Sequence, residues 1–249
     1  MARAALSGRL SWQFGRVVEL VEETARTKSL VLETPARQGH RAGQHVDVRL
    51  TAPDGYQAQR SYSIASGPED EHLVLTVERL VDGEVSPYLV DELRPGDELE
   101  LRGPIGGYFV WEAALVGPVL MVAGGSGVVP FRAMLRHGAA LGSDVPMRLL
   151  YSSRALSDVI YGEELMRLAE REPVEVHLTL TREWPDDWAG PRGRIDGPLL
   201  DQVAWPPPQR PLIYICGPSG FVEAASQTLV QRGHDPSRIR TERFGPSGQ

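Results

Sequence analysis

The chain of 249 residues is long enough for one large domain or two modest ones, and at 41% hydrophobic and 24% charged it is neither disordered nor fibrous. Its formal charge of −7 argues against nucleic acid or an anionic membrane as partner, because phosphate-rich partners call for a basic face. The single cysteine, Cys216, excludes an internal disulfide, a four-cysteine zinc site and a cysteine-ligated iron–sulfur cluster, and the six histidines (40, 45, 72, 137, 177, 234) show no ligand spacing, so no metal is expected.

At the start, "MARAALSGRLSW" lacks the apolar core of a signal peptide, which makes the cytoplasm the expected compartment. Short strands follow at 12–23, 28–34, 44–50, 60–66, 72–79 and 97–103, alternating or running apolar. Between them "PARQG", "APDG" and "RPGD" supply turn chemistry, and "SPYLVDEL" (86–93) is one helix-like insert. This pattern predicts a six-stranded antiparallel β-barrel over residues 1–112.

From residue 113 the rhythm changes. The longest apolar run, "AALVGPVLMVA" (113–123), is too short to span a bilayer and is interrupted by Gly117 and Pro118, so no membrane insertion is expected. Strands at 118–124, 146–153, 174–181 and 211–217 alternate with helical spacing at 130–142, 162–172 and 221–233, and 237–244 reads as a closing strand. Strand–helix alternation predicts a doubly wound parallel α/β sheet over 113–249. "WPPPQRP" (205–211) reads as a stiff surface loop.

Four stretches carry chemistry. "AGGSGVVPF" (123–131) follows a strand and opens a helix, where glycines admit a phosphate and free amides favour its charge. Pro130 stands where GxGxxG would have its third glycine; a plain tight turn is the competing reading, and the strand–helix context tilts the choice toward phosphate. "ICGPSGFVEAA" (215–225) places Cys216 at the carboxyl end of a strand, where parallel sheets bind ligands, though a small buried cysteine is the common alternative. In "DGEVSPYL" (82–89), Ser86 and Pro87 suit a helix start. "RSYSIAS" (60–66) is unremarkable as a bare strand.

Together, a barrel carrying RxYS followed by a nucleotide domain with GGSGxxP and CGP resembles the ferredoxin–NADP reductase superfamily over nearly the whole chain. The resemblance implies FAD, with Arg60 on the flavin phosphate, Tyr62 packed on the flavin and Ser63 hydrogen-bonded to its reactive edge. Those residue types suit the roles: a guanidinium matches phosphate geometry and an aromatic face suits a planar ring. Gly83, Val85 and Ser86 match the segment that receives the FAD pyrophosphate; the family's FMN-using branch, which has none to cradle, is the alternative. Gly124, Gly125, Ser126 and Gly127 match the pyrophosphate loop for the nicotinamide dinucleotide, and Cys216 and Gly217 the positions flanking the nicotinamide. "GPIGGYF" (103–109) fits the family's link between domains, or a turn.

In "TERF", Glu242 and Phe244 match the family's terminal glutamate and aromatic. The tail "GPSGQ" after Phe244 departs from a pattern in which the aromatic lies at or near the chain end, which leaves a core position as the competing reading for Phe244. NAD-specific folds commonly carry an acid after the second strand, whereas "YSSR" offers Ser153 and Arg154. Thr181 and Arg182 resemble the family's element for the extra phosphate, and Arg194 joins them, so NADP(H) is expected over NAD(H); solvated surface arginines are the alternative. The implied function is that of an NAD(P)H-dependent flavin oxidoreductase, with Ser63, Cys216, Glu242 and Phe244 at the reacting rings and a separate ferredoxin or another redox protein as acceptor. Two other readings stay open: an electron-input subunit of an oxygenase or molybdenum-enzyme complex, and a non-catalytic FAD- or nucleotide-binding sensor.

Overall fold

Alternating apolar residues build the first sheet of the computed structural model, which describes residues 10–34, 39–171 and 173–244. The turn expected at 35–39 lies largely outside those residues, as do the N-terminal stretch 1–9 and the tail after Phe244. Strands β1 (Gln13–Thr24), β2 (Thr27–Glu33), β3 (His45–Thr51), β4 (Gln57–Ser63), β5 (Leu73–Glu78) and β6 (Glu98–Ile105) form one antiparallel sheet in the order β4-β3-β6-β1-β2-β5. Its two edges meet at a bridge between Ile64 and Leu75, reinforced by Ala65 N donating to Val74 O at 2.7 Å, so the sheet closes on itself. The strand expected over 60–66 therefore stops at Ser63: Ile64, fully buried, leaves the pleat to make that closure. Leu30, Leu32, Val48, Leu75 and Leu101 fill the interior, and the insert after Ser86 packs Leu89, Val90 and Leu93 against one end of it.

The second sheet is parallel throughout: β7 (Val119–Gly124), β8 (Met147–Ser153), β9 (Val174–Leu180), β10 (Leu212–Pro218) and β11 (Ile239–Phe244), in the order β11-β10-β7-β8-β9. The central strands β7 and β10 read as unbroken apolar runs because both faces are covered. One face, with Met121, Leu149 and Tyr214, packs on α1 (Val129–Ala140) and α2 (Gly162–Ala169). The other, with Leu120, Val122, Ile213 and Ile215, packs on α3 (Gly197–Val203) and α4 (Ser219–Gln231). No sequence periodicity pointed to α3, which spans 7 residues. What forms it is local: the Asp196 side chain accepts from Leu199 N at 3.0 Å, and Leu199, Leu200 and Val203 bury against the sheet. No helix among the described residues is long and apolar enough to cross a membrane.

The two sheets are joined by packing rather than by a bare linker. Ala42, Ala65, Phe109 and Trp111 share a core cluster with Phe131, Met134 and Tyr214. Phe109 meets the Tyr214 ring edge-on at 5.2 Å, and the Tyr214 hydroxyl donates to Val110 O at 2.8 Å. Arg136 of α1 pairs with Asp70 at 2.7 Å, and the buried Tyr161 hydroxyl donates to Thr76 of β5. The order of the parallel strands reverses between β7 and β10, where sheets of this kind bind ligands in a crevice, and the carboxyl ends there meet the barrel's β4 and β5.

Candidate active site between the two sheets

The crevice floor is made of glycines for steric reasons. A Cβ on Gly217 would lie 2.8 Å from the Phe221 ring and 3.3 Å from Gly124 Cα, and one on Gly124 would lie 3.0 Å from the same ring. Gly125 adopts φ +56°, a left-handed turn that suits glycine and swings the chain from β7 toward α1. Gly127 packs harder still: a Cβ there would sit 2.1 Å from the Cys216 carbonyl oxygen. Its side therefore faces strand β10, a packing position within the glycine loop. The Ser126 hydroxyl donates to Glu78 Oε2 of β5 at 2.9 Å, a bond from the glycine loop to the barrel. Glu78 in turn lies 3.6 Å from Arg26, which reaches Asp158 at 3.5 Å. Nothing in the local sequence signalled Glu78, because β5 meets this loop only in three dimensions.

Register then aligns the chemistry. Ala123, Cys216 and Glu242 pair across β7, β10 and β11. From the barrel, Ser63 Oγ donates to Glu242 Oε1 at 3.4 Å, so residues 179 apart in sequence share one bond. Burial lifts the Glu242 carboxyl to about 7, against the opposing pull of the Ser63 hydrogen bond. Cys216 is 1% exposed; burial pushes its thiol well up, the Glu242 charge adds to the push, and the sulfur stays neutral. Phe244, in register with Pro218 at the end of β11, is 38% exposed and does not occupy a core position.

On the barrel side, Tyr62 packs partly against the barrel core, and burial pushes its phenol up. Arg60, two residues earlier, donates through Nη2 to Glu84 Oε2 at 2.8 Å. Gly83 has no room for a side chain, since an added Cβ would lie 2.8 Å from Ser86 Oγ, and Val85 is buried. The segment expected to receive a pyrophosphate therefore lies within an ion pair's reach of Arg60, which fits a flavin phosphate. Glu84 escaped the sequence reading although it sits inside "DGEVS"; a carboxylate between positions assigned to an anion was the available signal.

At the far end of the second sheet, Thr181 donates to the Ser153 carbonyl through N at 2.9 Å and Oγ1 at 3.1 Å, and Arg182 N donates to Arg154 O at 2.9 Å. Gly193 N donates to Leu180 O at 2.8 Å, which brings Arg194 beside the same strand end. Arg154, Arg182 and Arg194 are exposed, and their side chains make no hydrogen bond or ion pair with other described residues.

Comparison with known proteins agrees with the two-sheet fold. The family model for an oxidoreductase FAD-binding domain matches residues 15–110, and that for an oxidoreductase NAD-binding domain matches 121–227. The glycine betaine monooxygenase reductase subunit of Chromohalobacter salexigens is 33% identical, over 92% of this chain and 63% of that protein. The corresponding Pseudomonas aeruginosa protein is 32% identical, over 93% and 64%. The chain thus spans less than two thirds of these curated relatives. Among solved structures, the FAD/NAD-binding domain of Vibrio cholerae nitric oxide dioxygenase superposes with a TM-score of 0.85 at 26% identity, covering 94% of this chain and 99% of that one. An Amycolatopsis cytochrome P450 reductase also gives 0.85 at 26% identity, covering 98% and 73%.

Proposed function

The chain belongs to the ferredoxin–NADP reductase superfamily, and from that premise we propose that it passes electrons from NADPH through FAD to a separate one-electron carrier such as a ferredoxin. The observation that carries this is the convergence of Ser63 from the barrel with Glu242 and Cys216 from the parallel sheet at one crevice. A bound flavin would accept a hydride and release electrons singly. Around it, Arg60 and the backbone of 83–86 would hold phosphate, and Tyr62 and Phe244 would pack on the ring. The Ser63 hydroxyl would orient the reacting edge, while Glu242, titrating near neutrality, would hold a proton beside it. The small, neutral Cys216 thiol would leave room for the nicotinamide. Gly124, Gly125 and the backbone of Ser126 would face the dinucleotide pyrophosphate.

Purified protein is expected to be yellow and to catalyse reduction of ferricyanide by NADPH. A flavin-containing preparation that reduces no acceptor with either nucleotide would favour the sensor reading. The names of the relatives favour a second reading of the acceptor, in which an oxygenase receives electrons with this chain as its reductase subunit. Copurification of an oxygenase with the tagged chain would separate the two.

NADPH preference rests on Arg154, Arg182 and Arg194, three exposed cations without partners among the described residues. Arg182→Ala should remove a charge-assisted phosphate contact, roughly 1.5–3 kcal/mol, and so lower kcat/KM for NADPH about 10- to 100-fold while sparing NADH. Equal losses for both nucleotides, or an NADH preference that the substitution leaves untouched, would refute it.

A further inference from the structure

Arg60, proposed above for the flavin phosphate, already faces an anion. Its Nη2 donates to Glu84 Oε2 at 2.8 Å and its Nη1 to the Gln59 carbonyl at 2.7 Å. The other carboxylate oxygen, Oε1, accepts from the Tyr56 hydroxyl at 3.0 Å. The loop leaves Glu84 little choice of direction. Gly83 N donates to Leu80 O at 3.1 Å and Leu80 N donates to Ser86 Oγ at 3.0 Å, so residues 80–86 close on themselves. Gly83 is wedged inside that closure, and Val85, 1% exposed, is anchored in the barrel core. Between two fixed neighbours, the Glu84 side chain projects outward and meets Arg60. The nearby Arg79 adds no free charge, since it pairs with Asp91 at 2.6 Å.

This ion pair is not a stabilising device of any weight. Its side chains are 37% and 51% exposed, and pairs so exposed contribute little to folding. What it changes is the local charge. A phosphate approaching Arg60 meets half of a neutral pair, and must displace the carboxylate or lie beside it, where two anions repel. We infer that Glu84 is a built-in competitor for the flavin phosphate: it pairs with Arg60, balances its charge and lowers affinity for phosphorylated flavins. The inference rests on the flavin site proposed above and deepens it, because Glu84 then sets how readily FAD exchanges. It also carries its own selectivity. FAD and FMN bear phosphate and feel the competitor; riboflavin has the same ring without phosphate and does not.

The test removes bound flavin and titrates FAD, FMN and riboflavin, followed by flavin fluorescence, into wild type, Glu84→Gln, Arg60→Ala and the double variant. Glu84→Gln should bind FAD and FMN roughly 2- to 5-fold tighter, with riboflavin unchanged and the gain shrinking at high salt. Arg60→Ala should weaken FAD binding, and in its background the Glu84→Gln gain should vanish, since the two side chains act as one pair. FAD affinity that Glu84→Gln leaves unchanged or weakens overturns the competitor while the flavin site stands. An equal gain for riboflavin overturns it too, by placing the effect at the ring. Wild-type protein that binds none of the three flavins overturns both the competitor and the site.

Discussion

Replacing Glu242 with glutamine is expected to stabilise the folded protein by about 3 kcal/mol above pH 7 and to change almost nothing near pH 4. The carboxyl titrates near 7 when folded, raised by burial from an ordinary value of 4.5. Between those two values the folded state keeps a proton that the unfolded state has released, so stability falls as pH rises through that window and stays reduced above it. The full difference corresponds to about 3 kcal/mol at roughly 1.4 kcal/mol per pH unit. Glutamine carries no charge to bury and removes this cost, while its amide can still bond Ser63. Urea unfolding of both proteins at pH 4.5 and pH 8, at matched flavin content, reads the difference directly. The same substitution should erase a transition near pH 7 from the rate of flavin reduction by NADPH. A stability gain of equal size at both pH values would show that Glu242 is not the group that titrates there.

Alanine at two glycines of the second sheet's domain should have opposite effects. Gly127→Ala puts a methyl 2.1 Å from the Cys216 carbonyl oxygen and 2.5 Å from its carbon, both strand backbone that cannot swing aside. The loop must lift off β10, at a cost of about 3 kcal/mol, and the crevice widens where the dinucleotide would lie. Gly220→Ala, in the first turn of α4, meets nothing within 4 Å and should stabilise by roughly 0.4–1 kcal/mol, chiefly by restricting the unfolded chain. Thermal unfolding of the two variants, with binding of 2′,5′-ADP as a check on the crevice, decides it. If Gly127→Ala were as benign as Gly220→Ala, the close approach of the glycine turn to β10 would be wrong.

Sequence alone determined the parts of this protein that local chemistry controls. Alternation with turn residues marked the six barrel strands; unbroken apolar runs alternating with helical spacing marked the parallel sheet, because pleat and helix impose periods that survive in the one-dimensional record. Glycine and proline marked the loops where backbone must come close to something, and RxYS marked the end of a barrel strand. The helix Gly197–Val203 left no such trace, since at 7 residues it is too short to show a period and depends on the Asp196 cap and on burial against the sheet. Tertiary structure alone decided which distant groups meet. Ser63 and Glu242, 179 residues apart, share a hydrogen bond only because both sheets pack on the Phe109–Tyr214 seam. Ser126 finds Glu78 across the same seam, and Arg60 finds Glu84 because Val85 is pinned in the barrel. Even the Glu242 proton near neutral pH is a tertiary property: the sequence supplies the carboxyl, and burial, which no local pattern encodes, supplies the shift.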